Sequence, residues 1–138
     1  MAEEMPRIQE VILPVLREEL GPKWPGLMVT SWVPNVEKRR FPLLNVRRLG
    51  GLPVDVELLD RPVVEITAFT EDDLPTTEKL LQDARLVLWR MWKNQTVTPA
   101  GYIHSYFETM GPTQFDSGMA DTWRVQMLVQ LGLRPIRN

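Results

Sequence analysis

The sequence predicts an α+β fold in a single domain spanning residues 1–138, with helices packed on a mostly antiparallel or mixed sheet. Three observations carry this. Apolar residues recur at three-to-four spacing in two stretches, near residues 8–16 and 80–91. Residues that favour strands, alternating in places, fill several short segments. Twelve prolines, spread along the chain, separate these segments. The predicted order is α-β-β-β-α-β-β, and 138 residues leave no room for two ordinary domains.

The first element is an N-terminal helix within residues 1–21. Ile8, Val11, Ile12, Val15 and Leu16 form one apolar stripe, Pro6 suits a first helical turn, and Gly21-Pro22 reads as a stop. Pro14 falls mid-pattern on the polar side and removes one backbone hydrogen bond, so a bent or broken helix is expected. The sheet and the long helix then occupy residues 27–131. Strands are expected at Leu27–Val33, Leu43–Leu49 and Val63–Phe69. In the last of these, Val64, Ile66 and Ala68 share one face, while Glu65 and Thr67 take the other. Gly50-Gly51 reads as a turn opening a loop, GGLPVDVELLDRP, with room for a short strand of its own.

A long helix is expected over residues 74–93, capped by Asp72 or Asp73, with Pro75 tolerated in its first turn. Leu80, Leu81, Ala84, Val87, Leu88 and Met91 form its core stripe. Tyr102–Thr109 reads as a strand that leads through the turn-rich MGPTQFDSG to a final strand, Thr122–Leu131. There Trp123, Val125, Met127, Val129 and Leu131 alternate with Arg124, Gln126 and Gln130, as in an antiparallel strand covered on one face.

Composition narrows the function classes. Hydrophobic residues at 43% and charged residues at 25% describe a globular chain rather than a disordered one. The absence of cysteine excludes disulfides and thiolate metal sites and fits a reducing cytoplasm. A net charge of −2 gives no global attraction to nucleic acid or anionic lipid. The acidic N-terminus, MAEEMPRIQE, does not read as a signal peptide, and no apolar run approaches the ~20 residues a membrane span requires.

No constellation typical of catalysis stands out, and no cofactor or metal is expected. The single histidine, His104, is placed in a strand between Tyr102 and Tyr106 on one face. A general base and a plain histidine in an aromatic row are its two readings, and the second is favoured. Glu71-Asp72-Asp73 could hold a divalent cation, but acids before a helix serve capping and the helix dipole. Two basic clusters, Lys38-Arg39-Arg40 and Arg47-Arg48, could follow a nucleic-acid backbone, form a solvated surface or enter a protein contact.

Surplus apolar surface is the most suggestive feature. Leu86 and Trp89 project among Glu78, Gln82, Arg90 and Lys93, opposite the core stripe of the long helix. A tryptophan and a leucine one turn apart on a polar face point to a partner. Phe115 and Met119 are expected in a long turn, and Trp24 in a proline-flanked link.

The segments FPLLNVRRLGG, DRPVVEITAFTEDDLPTTEKLLQDARLVLW and MGPTQFDSGMADTWRVQMLVQLGLRP, in that order, resemble the tail terminator proteins of long-tailed bacteriophages, particularly those infecting actinobacteria. The resemblance spans about residues 27–138. It implies a structural virion protein, not an enzyme, that forms a hexameric ring at the head–tail junction after assembly in the host cytoplasm. Such a ring caps the tail tube, stops its polymerisation and provides the surface for head attachment. The implied partners are further copies of the chain, the major tail tube protein and a head-completion or connector protein. DNA passes through the lumen without sequence-specific binding.

Closing a ring demands a head-to-tail contact between two unlike patches. The candidates are Leu86 and Trp89 for one, and the Val36–Arg40 and Gly50–Asp60 loops for the other, with Arg47, Arg48 and Phe115 as further contact residues. The competing readings are another ring-forming neck component, a DNA-binding accessory protein and an enzyme dependent on His104.

Overall fold

The computed structural model describes residues 5–55 and 57–136, with backbone only for residues 52–54. Its elements follow the expected order: α1 (Ile8–Leu20), β1 (Met28–Thr30), β2 (Leu43–Asp55), β3 (Leu59–Thr70), α2 (Leu74–Lys93), β4 (Gly101–Phe115) and β5 (Trp123–Pro135). The five strands form one mixed sheet in the order β1-β2-β3-β5-β4. Only β1 and β2 run parallel; the other pairs are antiparallel.

Both helices lie on one face of this sheet, α1 over β1 and β2, and α2 over β3, β5 and β4. The core between the layers joins Ile8, Ile12 and Leu16 of α1 and Leu80, Leu81 and Leu88 of α2 to Val46, Ile66, Met127 and Val129 of the sheet, all 0% exposed. Burying side chains of this size contributes about 1.5–3 kcal/mol each, and this packing sets the orientation of α2.

Several local expectations are corrected. Pro6 precedes the first helix, whose N-cap is Arg7. Pro14 does not break α1: it is exposed, so water can satisfy the carbonyl it frees. The first strand shrinks to three residues, and Trp32 and Val33 stand exposed beyond it. Gly50-Gly51 is not a turn. It is an irregularity within a β2–β3 ladder that continues to Asp55, with φ of +102° and +122°, which glycine alone adopts freely. Part of the Gly50–Asp60 loop named as a contact candidate is therefore hairpin, and residue 56 and the side chains of 52–54 lie outside the described residues.

MGPTQF is strand as well, so Phe115 ends β4 rather than sitting in a turn. The β4–β5 register shifts three times, between Ile103 and Ser105, between Glu108 and Met110, and between Met110 and Thr113. The first shift separates His104 from Tyr106. Tyr106 pairs with Leu131 and packs on the core side, while Tyr102 pairs with Arg134 on the other face. The single-face aromatic row does not form. Thr67 is not open to solvent either: it is 2% exposed and donates to Gln126 Oε1 at 3.3 Å.

Candidate subunit and partner interface

The exposed side of α2 is held in place from its first turn. The Asp73 carboxylate accepts the Thr76 backbone N–H at 2.7 Å, and Pro75 occupies the opening turn. Hydrogen bonding from Thr76 holds the Asp73 carboxyl below its ordinary value. The acid before the helix is thus a cap. Among the described residues, no group of three histidines or acids could hold a metal ion, and no helix is long and apolar enough to cross a membrane.

Along α2, Gln82, Arg85, Leu86 and Trp89 face the edge strand β4, where Tyr106, Phe107 and Glu108 complete a groove of about 470 Å³. Leu86 is 40% exposed, Trp89 39% and Phe107 65%. The groove floor is rigidly tied. Arg85 Nη2 donates to Glu108 Oε2 at 2.8 Å, its Nε donates to the other carboxylate oxygen, and Tyr106 Oη donates to Glu108 Oε1 at 2.7 Å. The Arg85 guanidinium holds the Glu108 carboxyl low, and Glu108 in turn raises Arg85. Burial, reinforced by Glu108, pushes the Tyr106 phenol up.

Trp92 stacks on Tyr106 with centroids 6.1 Å apart and meets Trp89 edge-on at 6.1 Å. Lys93 Nζ lies 5.5 Å from the Trp89 ring centroid. Aromatic and cation–π contacts of this kind are worth about 0.5–1.5 kcal/mol each. They hold Trp89 at the surface with little rotamer entropy left to lose on binding. The site offers shape and apolar area; its charged groups are already matched to one another.

The basic clusters are not brought together. Arg47 and Arg48 are neighbours in β2 whose side chains diverge, with Arg47 Nη2 3.5 Å from Glu65 and Arg48 held bidentately by Asp60. Their charge is locally matched, which weakens them as a phosphate-tracking pair. Arg39 Nε donates to the Pro34 carbonyl at 3.2 Å. Lys38 and Arg40 are exposed, and among the described residues neither forms an ion pair. Arg39, Arg40 and Val36 wall a crevice of about 850 Å³ with Glu71 and the β4–β5 connection. Phe115, 39% exposed, lies under the Arg124 guanidinium, 5.2 Å from its centroid.

Leu86 and Trp89 therefore sit on one side of the sheet and the basic segments toward the other. Trp24 is no contact candidate: it packs on the core, and its indole N–H donates to Asp83 at 3.0 Å. Sequence reasoning missed Phe107, Trp32 and Val36. Trp32 was legible only as part of a longer first strand, and Phe107 was hidden by the shift at His104.

Comparisons with known proteins bear on this arrangement. Residues 4–138 match the family model described as phage tail termination protein. The Gene 22 protein of Mycobacterium phage L5 is 50% identical over 136 residues, covering 97% of this chain and 96% of that protein. The Gene 22 protein of Mycobacterium phage D29 is 46% identical over the same length, with the same coverage. Among solved structures, a chain of the virion of a native gene transfer agent particle matches 87% of this chain and 84% of its own length, at 15% identity and a TM-score of 0.43.

Proposed function

The chain belongs to the phage tail termination protein family, a structural protein of the virion tail, and from that premise we propose that it closes into a ring, as a hexamer, on the end of the tail tube. There it halts tube polymerisation and presents the surface to which the filled head attaches through a head-completion or connector protein. DNA passes through the lumen without base-specific contact.

The observation that carries this reading is the groove at the β4 edge. Two aromatic side chains and a leucine, exposed at 39–65%, line one cavity whose polar groups already satisfy one another. Such a surface gains free energy by excluding water against a partner, and tryptophan is the residue type most often dominant in such contacts. Catalysis would need a polar group left free to act, and the groove's polar residues are engaged in holding its shape.

The groove is tested by Trp89→Ala. The side chain is partly exposed, so folding survives, while truncating a central interface tryptophan costs about 2 kcal/mol or more per contact. Mass photometry of the chain, alone and with tail tubes, should show loss of assembly. Assembly and tube binding equal to those of the unmodified chain would remove the groove from the interface.

A further inference from the structure

The groove needs an occupant, and the molecule carries a counterpart on its opposite side. Edges of the sheet are β4, beside the groove, and β1, only three residues long. The connection that leaves β1 presents Trp32 at 65% exposure, Val33 at 41% and Val36 at 77%. Four strand spacings, about 19 Å, separate the two edges. The 31–40 segment lies against the β4–β5 connection, where it walls a different crevice, and so does not fill the groove of its own chain.

Charge gives the pairing a direction. Residues 31–40 carry one glutamate against three bases, a net charge of +2. On the β4 side, Glu78, Asp116 and Asp121 are exposed, and among the described residues none is in an ion pair. The bases of that side, Arg90 and Lys93, lie toward the other end of α2. The β4–β5 turn, the start of α2 and the start of β2 share one end of the sheet, where Leu43, Phe69, Arg124 and Phe115 stand in register. Basic loop and acidic corner are therefore at one height on opposite edges, as a head-to-tail contact around a closed ring requires.

We propose that the 31–40 segment of one copy docks on the β4–α2 side of the next. Trp32, Val33 and Val36 cover the groove of Leu86, Trp89 and Phe107, while Lys38 and Arg40 face Glu78, Asp116 and Asp121. The contact is made by side chains rather than by strand addition, because three register shifts interrupt β4 and β1 is too short to extend the sheet. This assignment rests on the ring reading and names its contact surfaces.

The chain lacks cysteine, so engineered thiols report without background. Val36→Cys and Leu86→Cys, both at exposed positions, are combined in one chain, made singly, and treated with a short bis-maleimide under conditions of assembly. The double variant should yield a ladder of covalent multimers beyond the dimer; each single variant should stay monomeric, and the two singles mixed should stop at dimers. In parallel, Lys38→Glu with Arg40→Glu should weaken assembly by at least about tenfold, near 1.4 kcal/mol, and adding Glu78→Lys with Asp116→Lys should restore it.

Rings without a ladder, or single variants that cross-link among themselves, would overturn the pairing while leaving the ring intact. Groove variants that form rings but no longer bind tubes would assign the groove to the tube protein instead. Failure to assemble under any condition, tubes included, would remove the ring reading and this contact with it.

Discussion

Alanine at position 51 is predicted to be costly for a reason that alanine at position 50 isolates. At Gly51, φ is +122°, and an added Cβ would lie 2.2 Å from the Arg61 carbonyl oxygen and 2.7 Å from the Pro62 Cα. The backbone conformation costs an L-residue about 1–3 kcal/mol, and forcing a methyl group against the opposite strand about 1–3 kcal/mol more. At Gly50, φ is +102°, but nothing lies within 4 Å of the added Cβ, so only the conformational part applies. Alanine's lower unfolded-state entropy returns about 0.4–1 kcal/mol to both variants and cancels in their difference. Gly51→Ala should therefore fall below Gly50→Ala by about 1–3 kcal/mol. At a urea m-value of about 2 kcal/mol per M, the midpoints differ by roughly 1 M. Urea unfolding followed by fluorescence of the five tryptophans reads it directly. Coincident midpoints, or a Gly51→Ala variant as stable as the unmodified chain, would refute the bulge as described.

Three further outcomes follow from the same structure. Asp73→Ala removes the acceptor for the Thr76 N–H and should destabilise by about 1 kcal/mol in the same assay, with Asp73→Ser recovering most of it. Glu108 has its carboxyl held low by Arg85, so its contribution is present above the unfolded-state value near ~4.3 and fades as pH falls through the folded-state value. Glu108→Gln should accordingly be less stable than the unmodified chain at neutral pH, with the gap narrowing below about pH 4, as urea midpoints at the two pH values will show. Leu80→Ala empties a position with 0% exposure between α2 and the sheet and should cost about 2–5 kcal/mol, measured by thermal or urea unfolding.

Much of the fold is written in local patterns. The core stripe of α2 is legible because Leu80, Leu81, Ala84, Leu88 and Met91 repeat at helical spacing, and its start is legible from Asp73 and Pro75. Val64, Ile66 and Ala68 alternate because β3 is covered from one side by helices. The exposure of Leu86 and Trp89 follows from the same helical wheel. What failed was whatever depends on pairing. Gly50-Gly51 and Gly111-Pro112 have the chemistry of turns, and the same chemistry serves irregularities inside long strands; only the opposite strand decides between them. The shift at His104 moves Tyr106 to the core side, which no alternation pattern anticipates. Arg47 and Arg48 read as a basic pair until register places Glu65 and Asp60 beside them, 18 and 12 residues away. Trp24 reads as surplus until α2 supplies Asp83. Interface candidates are thus legible on a helix, where neighbours are local, and much less so on a sheet, where they are distant in sequence.

The central claim is that this chain closes a ring on one end of the tail tube and stops its growth. Negative-stain electron microscopy of tail tube protein polymerising with and without the chain tests it most directly. Added at about one ring per tube, the chain should leave tubes capped by a ring at a single end, and those tubes should not lengthen when more tube protein is supplied. Tubes that carry no ring and elongate at the same rate with or without the chain would contradict the claim.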